Sequence, residues 1–148
     1  MKNTKKVSEE LSIAGQVTTE ELQQAANEGF KSVLNLRSPL EADFLGDEEQ
    51  QSQAAGLHYT NIPLRTDQAN QELVESAIRE IETLPKPVLI HCAAGARAGG
   101  IALIAIAIQE NLTYEQIVQK AGELGISLEQ PHLKQFFLNK YIGATTPN

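Results

Sequence analysis

Residues 88–100 constrain the fold of this 148-residue chain more than any other segment. The segment begins with apolar residues that lead into His91 and Cys92, the only cysteine. A loop of small residues with Arg97 follows, and then an apolar run at 101–108. This order predicts a buried strand, a tight loop and a buried helix, an arrangement that points backbone N–H groups into one cup. Such a cup binds an oxyanion and stabilises a thiolate, so the segment offers a nucleophile and an anion site together.

Strand and helix patterns alternate along the rest of the chain. Bulky apolar runs between turn residues predict four strands, the first of them a short edge strand: residues 11–17, 30–36, 57–63 and 88–91. Capping signals and amphipathic spacing predict helices near residues 18–28, 40–45, 47–55, 70–84, 101–109, 113–124 and 130–141. The alternation predicts an α/β fold, with a mostly parallel central sheet of four to five strands flanked by helices on both faces.

The length and composition are those of one ordinary globular domain. We interpret residues 1–148 as a single domain, with a flexible N-terminus at 1–8 and a tail at 143–148. The charged N-terminus shows no signal peptide, and the longest apolar run is far shorter than the about 20 residues of a membrane span. We therefore expect a cytoplasmic protein that does not enter a membrane. The sequence leaves its oligomeric state open.

Charge and residue types exclude several classes of partner. The net charge of −7 argues against nucleic-acid binding, which requires a basic face, but backbone N–H groups and one arginine still suffice for a small anion. The single cysteine forms no internal disulfide. Four carboxylates are interpreted as a solvated helical face, because no His or Cys accompanies them at metal-ligand spacing: Asp43, Asp47, Glu48 and Glu49. Neither a metal nor a cofactor is expected.

Three polar segments follow predicted strands. Arg37 comes after the second strand, the loop with Asp67 after the third, and Cys92 after the fourth. Ligands of parallel sheets bind beyond the carboxyl ends of the strands. We therefore expect these three segments to meet at one edge of the sheet.

The residues of the loop have distinct candidate roles. Cys92 is the candidate nucleophile, against the alternative of a small buried core residue. Arg97 is the candidate oxyanion clamp, because its planar fork binds two oxygens at once. His91 either orients the loop through hydrogen bonds or is a structural histidine, and His58 and His132 receive no role. The rest of the anion-binding loop is small and leaves room for a phosphorylated substrate or a small oxyanion such as phosphate, sulfate or thiosulfate: Ala93, Ala94, Gly95, Ala96 and Ala98.

The segment H-C-A-A-G-A-R at residues 91–97 resembles the signature loop of cysteine-dependent protein tyrosine and dual-specificity phosphatases. Residues 33–37 are similar to the second-strand segment of that superfamily, and residues 59–64 to the strand before its general-acid loop. The resemblance covers residues 11–125. It is greatest to the phosphatase-like domain family of bacterial beta-lactamase hydrolase-like proteins, whose loop also reads H-C-x-x-G-x-R.

This resemblance implies a phosphatase-like fold and the hydrolysis of a phosphate monoester. It implies that Cys92 is the nucleophile and that Arg97 binds the phosphate. His91 and Arg37, from their places at the ends of strands, are the candidate supporting residues. The resemblance also implies that Asp67, on the loop after the Ile-Pro strand, is the general acid. From the residues alone, the alternative is that Asp67 is a turn or cap residue before the helix that follows.

Two features of the loop leave other functions open. Four residues separate Cys92 from Arg97, where the phosphatase signature has five, and Ala98 stands where phosphatases have Ser or Thr. The shorter spacing is that of rhodanese-type sulfurtransferases, in which the cysteine carries a persulfide. The rhodanese pattern also expects a Gly-His-Ile segment and a closing strand, and the sequence shows neither. A sulfurtransferase and a non-catalytic anion-binding module remain the alternatives to a phosphatase.

Overall fold

The computed structural model describes residue 1 and residues 3–142, which fold around a five-stranded sheet. The strands are β1 Thr4–Lys6, β2 Leu11–Ala14, β3 Ser32–Asn35, β4 His58–Asn61 and β5 Val88–His91. They lie in the order β1-β2-β5-β3-β4, and all pairs are parallel except β1 with β2. The predicted α/β class with a mostly parallel sheet is confirmed.

Helices cover both faces of the sheet, as predicted. The described helices are α1 Thr19–Asn27, α2 Glu48–Ala54, α3 Gln71–Thr83, α4 Ala96–Gln109, α5 Tyr114–Leu124 and α6 Pro131–Phe137, which continues into a π-helical turn at Leu138–Ile142. Apolar residues of α1 form a smaller core cluster on one face, and those of α3, α4, α5 and α6 form a larger one on the other.

Strand β5 lies at the centre of the sheet because both of its faces are apolar. Its side chains alternate between the two core clusters, Leu89 in the smaller and Val88 and Ile90 in the larger, and all are fully buried. Continuous apolar runs of this kind are typical of interior parallel strands. His91 ends the strand, so Cys92 emerges at the carboxyl edge, where ligand sites of such sheets form.

The prediction of a flexible N-terminus is wrong for residues 4–6, which form β1. The edge position predicted for the strand at residues 11–17 is also wrong. This strand is β2, and because β1 pairs with it, β2 lies inside the sheet, between β1 and β5. Lys5 and Lys6 of β1 are exposed. Edge strands commonly carry such charged side chains. Because backbone hydrogen bonds hold β1 in the sheet, the polar composition of residues 4–6 does not indicate a strand.

The short helix predicted at residues 40–45 does not form. This stretch consists of turns and irregular backbone, and Asp43 adopts the left-handed region with a φ of 64°. The Ser38 N–H donates to the Glu41 carboxylate at 2.6 Å, as in a capping box, but that carboxylate also binds two arginine side chains. These contacts draw Glu41 into the protein and replace the helix that the local pattern favours.

The other helices form near their predicted positions. The capping boxes at Thr18 and Thr113 are both complete. Helix α4 begins at Ala96, earlier than the predicted residue 101, because the small residues after the loop already make its first turn. None of the described helices is both long and apolar enough to cross a membrane. The predicted tail at residues 143–148 lies outside the described residues.

Candidate active site

The Cys92 side chain lies at the N-terminus of α4, within residues 92–97, which we call the cysteine loop. Its Sγ accepts hydrogen bonds from the backbone N–H of Gly95 at 3.1 Å and of Ala98 at 3.4 Å. The residue is 1% exposed. The two N–H groups and the positive end of α4 stabilise a negative charge on the sulfur.

The backbone of the cysteine loop is fixed by glycines at two points. Gly95 has a φ of 100°, a left-handed conformation that turns the loop into α4. The Ala93 carbonyl accepts the Gln16 N–H at 3.0 Å, and a Cβ added at Gly15 would lie only 3.0 Å from the Ala93 oxygen. The loop is therefore locked against the end of β2. Its methyl groups face solvent and keep the mouth of the loop open: Ala93, Ala94 and Ala96.

Arg97, the last residue of the cysteine loop, binds groups in the protein interior and is 6% exposed. Its Nη1 donates to the carbonyls of Leu36 at 3.2 Å and Leu64 at 2.9 Å. Glu41 binds the guanidinium twice, Oε2 to Nη1 at 2.7 Å and Oε1 to Nη2 at 3.0 Å. The hydrogen bond to Glu41 raises the pKa of Arg97, and the charge of Cys92 raises it further. The described contacts leave Nε and one Nη2 hydrogen available for an oxyanion.

Glu41 is a site residue that the sequence did not reveal, since its stretch reads as polar and exposed. The hydrogen bond from Arg97 is the main reason that the pKa of Glu41 is lowered to about 2, and those from Ser38 and Arg37 add to it. Glu41 follows Arg37 by four residues, and this spacing is the one signal in the sequence that Glu41 binds an arginine. In a predicted helix, however, such spacing indicates an ordinary surface ion pair.

Replacing Glu41 with glutamine is expected to lower the free energy of unfolding by about 2 kcal/mol at pH 7. The lowered pKa means that the stabilisation is complete above the unfolded-state pKa of about 4.3 and is lost as the pH falls toward about 2. The difference between wild type and variant should therefore shrink by about half at pH 3. Urea denaturation at both pH values measures it, with exposed Glu82→Gln as the control. A difference that is equal at both pH values would show that the carboxylate charge does not stabilise the fold.

Arg37, predicted to support the site, is buried and is linked to the cysteine loop through Glu41, which binds Arg97. It donates to Gln16 Oε1 at 2.8 Å, to the Ala42 carbonyl at 2.6 Å and to the Asp43 carbonyl at 3.2 Å. Its Nε reaches Glu41 Oε1 at 3.2 Å. Arg37 thus holds the turn that carries Glu41, and its described donors are used within the protein.

The prediction that Glu48 is solvated is wrong. Its carboxylate is buried against His91, with Oε2 2.5 Å from Nε2, while Asp43, Asp47 and Glu49 are exposed as predicted. The Nδ1 of His91 faces the Cys92 carbonyl oxygen at 3.3 Å. His91 therefore lies behind the loop and orients it, rather than facing the mouth. Across residues 1 and 3–142, no three His, Cys, Asp or Glu side chains gather as a metal site would require.

Asp67 lies on the exposed loop between β4 and α3. Arg65 binds both of its carboxylate oxygens, at 2.9 and 2.8 Å, and this hydrogen bonding lowers the pKa of Asp67. None of the described hydrogen bonds of Asp67 reaches the cysteine loop. A general acid must carry a proton close to the leaving group, so its predicted role requires Asp67 to leave Arg65.

The two histidines without a predicted role differ in position. His58 is exposed on β4. His132, at the start of α6, is buried, and its Nε2 has no hydrogen-bond partner among the described residues. Burial lowers the pKa of His132, and the positive charge of Arg97 lowers it further. His132 thus lies close enough to the site for the charge of Arg97 to act on its ring.

Sequence comparison identifies relatives of this chain. The family described as "Beta-lactamase hydrolase-like protein, phosphatase-like domain" matches residues 3–109. A beta-lactamase hydrolase-like protein of Xylella fastidiosa (strain Temecula1) is 34% identical over 95 residues, which are 62% of this chain and 22% of that protein. The chain thus matches about a fifth of the length of that curated relative.

Solved structures agree with the family match. A DUF442 protein from Shewanella putrefaciens CN-32 has a TM-score of 0.78 at 21% identity, over 93% of this chain and 89% of that chain. TpbA of P. aeruginosa, in complex with pTyr, has a TM-score of 0.74 at 15% identity, over 96% of this chain and 86% of that chain. At these identities the likeness concerns the fold, which is that of protein tyrosine phosphatases.

Proposed function

Because this chain belongs to the phosphatase-like domain family of beta-lactamase hydrolase-like proteins, we propose that it is a cysteine-dependent phosphatase acting on phosphate monoesters. The observation that carries the proposal is the position of the Cys92 sulfur at the N-terminus of α4, where two loop N–H groups donate to it and Arg97 closes the same loop. A phosphate ester suits this arrangement, because the sulfur can attack its phosphorus while the N-terminus of α4 and Arg97 bind its oxygens.

In the first step the Cys92 thiolate attacks phosphorus and forms a thiophosphate. The bond from phosphorus to the ester oxygen breaks, and that oxygen leaves with the electron pair and takes up a proton. The loop N–H groups and the free Arg97 donors stabilise the charge on the three equatorial oxygens. The second step is attack by water on the thiophosphate, which releases phosphate and restores the thiolate.

The substrate class follows from the mouth of the cysteine loop. Exposed methyl groups line it in place of large side chains: Ala93, Ala94 and Ala96. This leaves room for an aryl phosphate, and the pTyr complex of TpbA, which shares the fold, supports that choice. A phosphorylated tyrosine or a comparable aryl phosphate is therefore the proposed substrate class.

The general acid is proposed to be Asp67, released from Arg65. Replacing Asp67 with asparagine should lower kcat about 100-fold for phenyl phosphate, whose leaving oxygen needs a proton. It should lower kcat less than threefold for p-nitrophenyl phosphate, whose leaving group is stable as an anion. Steady-state kinetics on both substrates measure the contrast, with exposed Glu72→Gln as the matched control. Equal losses on the two substrates would remove Asp67 from this role.

One observation favours a second candidate, a sulfurtransferase. The loop has only four residues between Cys92 and Arg97, and Ala98 donates its N–H to the sulfur without adding a hydroxyl. A shorter loop suits a small substrate such as thiosulfate, which carries no ester group. In that reaction Cys92 attacks the outer sulfur, sulfite leaves, and the Cys92 persulfide then passes its sulfur to a thiol or to cyanide.

The decisive experiment offers the wild-type protein both kinds of substrate. The proposal expects p-nitrophenol from p-nitrophenyl phosphate, competitive inhibition by inorganic phosphate, and no thiocyanate from thiosulfate and cyanide. Thiocyanate release with a gain of one sulfur in the mass of the protein would replace the phosphatase with the sulfurtransferase. Phosphate binding without either product would leave an anion-binding module.

A further inference from the structure

A buried ion pair lies directly behind the cysteine loop. Glu48, the first residue of α2, is 1% exposed, and His91, the last residue of β5, is fully buried. A carboxylate loses much hydration free energy when it is buried, unless it is paired and hydrogen-bonded. Other carboxylates around the start of the same helix face solvent. Glu48 is therefore buried for its contact with His91, which lies directly behind the cysteine loop.

His91 has an acceptor at each ring nitrogen. Its Nε2 is 2.5 Å from Glu48 Oε2, and its Nδ1 is 3.3 Å from the Cys92 carbonyl oxygen. A neutral imidazole carries one N–H donor, and a carbonyl oxygen can only accept. If Glu48 is ionised, both contacts are satisfied together only when both ring nitrogens carry a proton, which makes the ring an imidazolium.

The surroundings of Glu48 suit a carboxylate. The Gln16 amide nitrogen donates to Glu48 Oε1 at 2.9 Å, so both carboxylate oxygens accept hydrogen bonds. The orientation of that amide is fixed, because its oxygen accepts from Arg37 Nη1 at 2.8 Å and its nitrogen also donates to the Val17 carbonyl at 2.9 Å. A proton on Glu48 would have His91 Nε2 as its acceptor and would give a neutral pair with the same contacts, whereas the place of Glu48 in the first turn of α2 and the Gln16 hydrogen bond both suit the carboxylate.

We propose that Glu48 is a positioning residue, which holds His91 as an imidazolium beside the nucleophile. The cation and its hydrogen bond to the Cys92 carbonyl fix the turn from β5 into the loop. The positive charge stabilises the thiolate, in addition to the loop N–H groups and Arg97. The inference rests on the proposed function only in taking Cys92 as the reacting group.

The other charged or titratable groups around the pair do not compete for its proton. Arg37 reaches it only through Gln16 and already binds Glu41. Burial raises the pKa of Tyr59 to about 12, and the charges of Glu48 and Glu49 contribute, so the phenol is neutral. The Tyr59 oxygen instead accepts a hydrogen bond from Asn35 at 3.1 Å.

The first test needs no variant. Long-range ¹H–¹⁵N correlation of the His91 ring in the wild-type protein at pH 7 distinguishes an imidazolium from either neutral tautomer. The proposal expects protons on both ring nitrogens and the imidazolium pattern of ¹⁵N shifts. A neutral ring would overturn the proposal, whether or not the protein hydrolyses phosphate esters.

The second test uses Glu48→Gln, which changes the charge but preserves the shape. The new amide oxygen can still accept from Gln16, while its NH₂ group donates to His91 Nε2. That ring nitrogen must then be unprotonated, so His91 becomes the neutral Nδ1–H tautomer. The hydrogen bonds are kept and only the positive charge is removed.

For this variant we expect iodoacetamide to alkylate Cys92 about tenfold more slowly at pH 7. In turnover, kcat should fall about tenfold while KM stays within twofold, because the loop N–H groups and Arg97 still bind the phosphate. The control is Glu49→Gln, an exposed glutamate on the same helix, which should change neither rate. Unchanged alkylation in a folded Glu48→Gln protein would overturn the proposal. Slower alkylation in a protein that lacks phosphatase activity would uphold it and reject the phosphatase reaction alone.

Discussion

Replacing Cys92 with serine is expected to reduce kcat for p-nitrophenyl phosphate by at least about 10⁴-fold. A serine hydroxyl stays protonated at pH 7 and needs a base, whereas a thiolate attacks directly. Both nitrogens of the neighbouring His91 ring are engaged, at Glu48 and at the Cys92 carbonyl, so the ring is not placed to take the serine proton. Steady-state kinetics on the purified variant measure the loss.

Binding of inorganic phosphate to Cys92→Ser should stay within about threefold of wild type. In the proposed mechanism the anion is held by the loop N–H groups and by Arg97, and both remain in the variant. Isothermal titration calorimetry provides this control, and the unfolding temperature shows that the near-isosteric change leaves the fold intact. Substantial residual turnover, with phosphate binding preserved, would mean that the sulfur is not the nucleophile.

Replacing Arg97 with lysine is expected to reduce kcat by about 10²- to 10³-fold and to weaken phosphate binding about tenfold. Lysine keeps the positive charge, but a single ammonium group cannot bind Glu41 with two hydrogen bonds and offer two more to an oxyanion. The loss in kcat exceeds the loss in binding because the equatorial oxygens gain charge as the ester bond breaks. Kinetics and calorimetry on the same protein separate the two effects.

Arg97 also supports the fold, because it binds the carbonyls of Leu36 and Leu64 in addition to Glu41. The variant's unfolding temperature must therefore be compared with that of exposed Arg79→Lys, which carries the same chemical change on α3. We expect Arg79→Lys to match wild type in stability and rate. If a folded Arg97→Lys protein keeps wild-type kcat, the guanidinium fork does not stabilise the transition state.

Much of the fold could be predicted because its signals are local. The capping boxes at Thr18 and Thr113 each lie within four residues, so the starts of α1 and α5 follow from sequence alone. The apolar run of β5 identifies it as an interior strand. Strand β1 was missed because its exposed residues carry no apolar pattern, and backbone pairing with β2 is what makes it a strand.

The sequence by itself predicted Cys92 as the nucleophile and determined the loop around it, because the cysteine, the small residues and the arginine all lie within residues 91–97. The tertiary structure alone decided which carboxylates serve the site. Glu41 binds Arg97 across 56 residues, and Glu48 binds His91 across 43. An acidic residue in a polar stretch gives the same pattern whether it faces water or a cation. The difference arises only when β3, β4 and β5 align and bring distant basic groups opposite these side chains.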